Sequence, residues 1–322
     1  MAPRGGRPRR RRRGRGVLLA FVLLLVLILA WPVGLLIWAN GKIQHVDAGE
    51  SSLSTAGTTY LLAGSDSRDD DENFTHDPTE GQRADTIMIL TVPPSGNTSL
   101  ISLPRDTYME IPGHGWNKLN AAYSWGGPEL LRASVESLTG IEVDHYVEIG
   151  MGGLANVVDA VGGVELCLDY DVSDRDSRLE WEAGCHISDG DTALAFARMR
   201  AADPMGDIGR TLRQQQVIQA ITSTVADPAL AVRPGQQVDL LESGLGALYV
   251  SENSNIIDLG RMALAFRNAT GPDGVRGAPP IASMNHRPGG VGSTVLLEDH
   301  YPAFFASVAD GTVEQGDVDG DD

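Results

Sequence analysis

The chain has 322 residues, with 43 Asp and Glu against 25 Lys and Arg and a formal net charge of −18. Eight Arg lie within the first 16 positions, whereas the first acidic residue is Asp47, so the chain beyond Gly16 is strongly acidic. An acidic body repels polyanions, which sets nucleic acid aside as a partner.

In chain order, the basic tail (1–16) abuts residues 17–39, an apolar run without a charge. As a helix rising about 1.5 Å per residue the run spans roughly 34 Å, enough to cross a bilayer. The bias of Lys and Arg toward the cytoplasmic side puts the tail inside and everything after Asn40 outside. A cleavable signal peptide has a shorter apolar core, about 7 to 15 residues. The run therefore predicts one uncleaved transmembrane helix and a single-pass cell-membrane protein with an extracytoplasmic domain. Residues 40–58 read as a linker, 59–309 as the external domain and 310–322 as a disordered Gly/Asp tail.

Within the domain, residues 59–63 form the first expected strand, ending in Gly64-Ser65-Asp66-Ser67-Arg68, and an acidic surface loop follows over 69–82. Residues 83–92 are a second strand, entered by Arg83 and Asp85. Pro93, Pro94, Gly96 and Asn97 mark a turn, and 98–103 is a third strand running into Pro104-Arg105-Asp106. A hairpin here brings Arg83 and Asp85 beside Arg105 and Asp106. Charged pairs at strand ends are often plain solvated edges, but three at one rim point to a site, since ligands of open α/β sheets gather at strand ends.

Residues 111–127 read as a Gly- and aromatic-rich loop. Helices at 128–138 and 153–161 then alternate with strands at 143–149 and 164–168, which implies a layered α/β domain. Cys167 and Cys185 form an even pair in an oxidising compartment, as a disulfide or as two buried thiols. The segment between them, 169–184, is acidic and weakly patterned. Later elements are a helix at 254–266, strands at 280–286 and 293–297, and a closing helix at 301–308.

The stretch 188–225 carries the most chemistry. As a helix, 207–225 puts Arg210, Gln214, Val217, Ile221 and Val225 on one stripe, apolar at one end and polar at the other. A guanidinium on a core-facing turn calls for an anion, which a helix N-terminus also favours. Arg198 and Arg200, just before the loop, are placed to close the same site, and a diphosphate fits it better than one phosphate. Gly150-Met151-Gly152-Gly153 resembles a dinucleotide loop, but no Rossmann half can be built around it so late in the chain, and tight packing of a short helix explains the glycines. No Walker loop, zinc pair or nucleophile elbow is present.

The order of Gly64-Ser65-Asp66-Ser67-Arg68, Arg83-x-Asp85, Pro104-Arg105-Asp106, Lys118 to Tyr123, Asp189-Gly190, Arg198-x-Arg200 and Asp207-x-x-Arg210-x-x-Arg213-Gln214-Gln215 resembles the LytR-CpsA-Psr (LCP) family of cell-wall glycopolymer transferases, of actinobacterial type. The resemblance covers about 59–225, more loosely to 308. It implies a three-layer α/β/α sandwich with a central mixed sheet. It implies a phosphotransferase that moves a glycopolymer from a polyprenyl diphosphate carrier onto peptidoglycan, outside the membrane, with a pyrophosphatase side activity. Mg2+, or Mn2+ in its place, would sit on Asp66 and Asp85. Arg83, Arg105, Arg198, Arg200, Arg210 and Gln214 would hold the diphosphate, with Asp207 orienting the arginines and an apolar tunnel holding the lipid. Asp106 and Asp66 are candidate bases by residue type, and arabinogalactan or a teichoic-acid-like polymer is the expected cargo. A non-catalytic polyprenyl-phosphate binder or envelope regulator is the alternative.

Overall fold

The computed structural model describes residues 11–65, 84–199, 202–204, 207–225 and 234–319. The chain divides into two compact units, Met1–Lys42 and Ile43–Asp322. In the first, α1 (Arg11–Asn40) is a single helix with Pro32 inside it, and Phe21, Trp31 and Ile37 are exposed along it. Among the described residues no helix is long and apolar enough to cross a membrane. Several side chains of 17–39, where the membrane anchor is expected, lie outside the described residues.

The second unit opens with β1 (Gln44–Val46), a strand inside the stretch expected as linker. It continues through β2 (Thr58–Ser65), β3 (Ala84–Val92), β4 (Ser99–Ser102), β5 (Tyr108–Ile111), β6 (Gly115–Lys118), α2 (Leu119–Thr139), β7 (His145–Gly150), α3 (Met151–Ala160) and β8 (Val164–Leu168). Then come β9 (Val172–Asp174), β10 (Leu179–Trp181), β11 (Gly184–Ser188), α4 (Gly190–Arg198), α5 (Asp207–Val225) and α6 (Pro234–Gly246). The last elements are β12 (Leu248–Ser251), α7 (Ile256–Ala269), β13 (Val275–Gly277), β14 (Ile281–His286), β15 (Thr294–Leu297) and α8 (Tyr301–Asp310).

Seven strands make the central mixed sheet, in the order β1-β12-β7-β2-β3-β4-β13. The β2–β7 pair is parallel and β2–β3–β4 is an antiparallel meander. Because side chains alternate along a strand, Ile87, Ile89 and Ile101 face α2 and α8, where they pack with Leu131, Val135 and Phe305. Met88, Leu90 and Leu100 face the other way, against Phe266 of α7 and Ile218 of α5. Burial on both faces is why β3 reads as a continuous apolar run rather than an alternating one. A separate core under α3, α4 and α5 gathers Val158, Leu166, Trp181, Phe196 and Val217.

Three segments differ from the sequence reading. The loop expected at 111–127 is instead the β5–β6 hairpin followed by the start of α2, with Gly113 (φ 75°) and Gly115 (φ 79°) supplying the left-handed turn that only glycine adopts without strain. The helix breaks at Gly126 and Gly127 (φ 60°, ψ −151°) before Pro128 restarts it. The acidic segment at 169–184 holds the β9–β10 hairpin. The tail expected to be disordered is ordered as far as Asp319: Val313 is fully buried, and Ala278 and Asp319 form a β-bridge. The Gln315 amide also clasps both backbone groups of Arg276, at 3.0 and 2.7 Å, so the tail covers the outer edge of β13.

Cys167 and Cys185 sit opposite each other in the antiparallel β8–β11 pair and are bonded, which resolves the two readings of the cysteines in favour of the disulfide. Closing a loop of 18 residues' separation contributes about 3 kcal/mol in the chain-entropy account. Reduction is therefore expected to lower the urea midpoint by that equivalent, measured with and without dithiothreitol.

Candidate active site at the sheet rim

The meander aligns Met88 with Ser102. Three more residues in the same register put Asp85 opposite Arg105, and the two side chains pair, Nη1 of Arg105 donating to Oδ1 of Asp85. Asp106 Oδ2 lies 3.8 Å from Arg105 Nε, and Asp106 Oδ1 lies 2.9 Å from Lys118 Nζ at the end of β6. Charges thus alternate along Asp85, Arg105, Asp106 and Lys118. Each pair alone contributes little at 20–27% exposure, but a linked set holds a planar guanidinium in one orientation.

The first turns of α5 approach the same rim from the other side. Arg210 and Gln214 line one cleft with Asp85, Arg105 and Asp106, of about 120 Å³. Thr86 donates its hydroxyl to Gln214 Oε1 at 2.7 Å, which leaves the amide NH2 of Gln214 as the group able to donate to an anion. Ile87, Leu103, Ile281 and Val295 continue the cleft as apolar wall, and Leu212 and Met284 stand at it 37% and 48% exposed. The cleft can therefore hold an anion beside a hydrocarbon chain.

Arg276 of β13 also lines the cleft and was missed by sequence reasoning, because no motif surrounds it. Its only signal was being one of few Arg in an acidic domain. Arg213, three residues after Arg210, turns the opposite way. It is 5% exposed, pairs with Asp203, and donates Nε to Phe196 O at 3.0 Å and Nη2 to Met199 O. Burial pushes its guanidinium below the usual value. Gly209 lies so close that a Cβ there would meet the Asp203 carboxylate at 2.2 Å. Tyr123 of the Lys118 motif is likewise internal: it and Tyr146 donate to the two oxygens of buried Glu148, at 2.7 and 2.6 Å. Burial, and then Glu148, push the Tyr146 phenol well above its ordinary range.

The remaining expected site residues are distributed otherwise. Arg198 ends α4 and lines a second recess, of about 690 Å³, rather than the cleft of Arg105 and Arg210. Asp66, Arg83 and Arg200 lie outside the described residues, and of Asp207 only the backbone is described, as the first residue of α5. Among the described residues no group of three or more His, Cys, Asp or Glu could hold a metal ion.

The domain is a layered α/β fold in which guanidinium groups converge on a partly apolar cleft at the sheet rim, an arrangement with donors for an anion. A model of the LytR_cpsA_psr family matches residues 39–247, and the chain belongs to that family. "Probable cell wall biosynthesis protein LcpB" of Corynebacterium glutamicum is 42% identical over 292 residues, 87% of this chain and 69% of that relative. "Polyisoprenyl-teichoic acid--peptidoglycan teichoic acid transferase TagU" of Bacillus cereus is 38% identical over 180 residues, 55% of this chain and 56% of that relative. Among solved structures, the LytR-Csp2A-Psr enzyme from Actinomyces oris superposes with a TM-score of 0.63 at 21% identity, covering 83% of this chain and 96% of its own. A structure described as TagT bound to LI-WTA superposes with a TM-score of 0.62 at 23% identity, covering 83% and 99%. The resemblance read from the motifs is thus borne out, and so is the α/β fold with its mixed sheet.

Removing the Arg213 side chain strands Asp203 without its cation. Loss of one partner from a buried pair costs about 3–5 kcal/mol. Arg213→Ala is expected to lower the urea midpoint by that equivalent, with Arg213→Lys falling between it and the parent protein.

Proposed function

We propose that the chain is a membrane-anchored phosphotransferase. In this reading it moves a glycopolymer from a polyprenyl diphosphate carrier to a hydroxyl of peptidoglycan at the outer face of the cytoplasmic membrane. The observation that carries the reading is the joint presence of Arg105, Arg210 and Gln214 at one cleft whose wall is apolar. A diphosphate needs the forks, and an isoprenoid needs the wall. The printed names of the relatives agree, one being a teichoic acid transferase acting on peptidoglycan and another a cell-wall biosynthesis protein. The uncharged run at 17–39 would tether the domain within reach of a membrane-bound donor.

Phosphoryl transfer depends on positioning and on neutralising charge spread over the phosphate oxygens. Arg105, held by Asp85 and Asp106, and Arg210 would grip the diphosphate bidentately, and the Gln214 amide would donate to a further oxygen. The acceptor hydroxyl oxygen attacks the phosphorus that bears the glycopolymer. A new P–O bond forms as the bond to polyprenyl phosphate breaks, the leaving phosphate keeps the electron pair, and the hydroxyl proton passes to a base. Asp106, which also pairs with Lys118 and Arg105, and Asp66 are the candidate bases by residue type.

Asp85 beside phosphate-gripping arginines is the kind of donor Mg2+ takes, since that ion binds through one or two carboxylates together with substrate oxygens and water. Asp85 and Asp66 would hold it, and it would neutralise phosphate charge. Arg200 and Arg83 would complete the cationic rim, and Asp207 would orient them, whereas Arg198 lines the neighbouring recess.

The test is turnover of a polyprenyl diphosphate-linked saccharide by detergent-extracted full-length protein. Arg105→Ala and Arg210→Ala are each expected to lower kcat/KM by about 10²-fold or more, with the fold intact by circular dichroism. Unchanged turnover in both variants overturns the site. Retention of polyprenyl phosphate with no turnover toward any acceptor makes the chain a binder rather than an enzyme. Calorimetric titration with MgCl2 in the presence of donor is expected to show affinity reduced at least tenfold in Asp85→Asn.

A further inference from the structure

The recess of about 690 Å³ beside α4 is the larger concavity of the two and takes no part in the diphosphate grip. Its position is set by the sheet. Gly150, on its lining, is aligned with Ser65 of β2, and Ser65 is aligned with Ala84 of β3. Two strand spacings, about 10 Å, therefore separate the recess from the start of β3, where Asp85 opens the cleft. Different helices line the two concavities: Leu194 and Arg198 of α4 line the recess, whereas Arg210 and Gln214 of α5 line the cleft.

The chemistry of the recess differs from that of the cleft. Arg178, Arg198 and Asn156 offer donors, Asp191 and Glu180 offer carboxylate acceptors, and Tyr249 supplies a ring. Among the described lining residues these polar groups stand beside Leu179, Leu194, Ala195 and Ala247. Interspersed donors and acceptors around an aromatic ring suit a polyol, whose hydroxyls both donate and accept while its C–H faces lie on the ring. One wall is the β9–β10 hairpin, carrying Arg178 and Glu180. That hairpin lies within the loop closed by Cys167–Cys185. Arg178 is the non-glycine residue with positive φ among the described residues, at 61°, a conformation in which glycine is favoured. Among the described residues it forms no ion pair with an acidic side chain.

We propose that this recess is the acceptor-saccharide site, holding the peptidoglycan glycan so that one hydroxyl reaches the diphosphate in the neighbouring cleft; the assignment rests on the transferase reading above. The disulfide is then a clamp on the acceptor wall.

The test is equilibrium binding of a soluble tetrasaccharide of N-acetylglucosamine and N-acetylmuramic acid to the full chain in detergent, by calorimetry, with no donor present. Arg178→Gly removes the side chain while relieving the backbone, so it keeps the fold. Saturable binding by the parent protein, weakened at least tenfold in Arg178→Gly and in Glu180→Gln and weakened again on reduction by dithiothreitol, supports the assignment. Equal binding in parent and variants, or none by the parent, overturns it. In transfer assays the same variants are expected to raise the KM for the acceptor at least tenfold more than the KM for the donor. Should the parent protein bind the tetrasaccharide but transfer nothing to it from any donor, the transferase reading fails and the saccharide site stands.

Discussion

One buried charge pair ties together α4 and α5, the helices that line the two concavities of this domain. Arg213 reaches back from α5 to the carbonyls of Phe196 and Met199 at the end of α4 and to Asp203 in the connecting loop. With the guanidinium satisfied on three sides, the two helices cannot slide past each other without exposing a cation to an apolar interior, which is costly. Gly209 is part of the same constraint, since any side chain there would occupy the space of the Asp203 carboxylate. Because α4 lines the recess and α5 lines the cleft, a single interaction fixes both concavities and the partition between them. The pair adds little to net stability compared with a hydrophobic substitute; its contribution is to the angle.

The rim works by a second kind of constraint. The domain is acidic, yet Arg105, Arg210 and Arg276 are brought to one small cleft. Asp85, Asp106 and Asp319 stand in the same cleft, so the overall negative field discourages bulk polyanions and only a ligand that reaches the guanidinium forks themselves is rewarded. The alternating Asp85, Arg105, Asp106 and Lys118 chain keeps Arg105 pre-oriented, so less conformational freedom is lost when an anion binds. Asp106 is thereby part of the chain that holds Arg105, a placement that residue type alone does not reveal.

How much of this was legible before the structure depended on periodicity. β2, β3 and β4 announced themselves as apolar runs bounded by turn residues, and the 93–97 turn implied the hairpin that aligns Asp85 with Arg105. The stripe through Arg210, Gln214 and Val217 on α5 likewise foretold which residues would face the cleft and which the core. What escaped were features without a period. Arg213 looked like a neighbour of Arg210, but its partner Asp203 lies in a loop, where no spacing rule connects them. Arg276 and the apolar wall at Ile281 and Val295 come from beyond residue 247, where the family match ends. The β5–β6 hairpin was hidden because Gly113 and Gly115 resemble loop composition while serving as a tight turn. β12, four residues long, was too short to register, though it joins β1 to the sheet. Arg198 shows the limit of motif reasoning: its place just before the loop is plain from the chain, but which concavity it lines is a property of the tertiary packing.

The Gln315 clasp over Arg276 has a consequence for life in a crowded envelope. The last strand of a sheet is ordinarily an invitation, a row of unused amides onto which another chain can zip. Here a side-chain amide impersonates the missing neighbour, and the Ala278–Asp319 bridge extends the disguise. Copies of this domain brought close together therefore lack a sticky border on this side, and stay separate instead of knitting into a continuous ribbon.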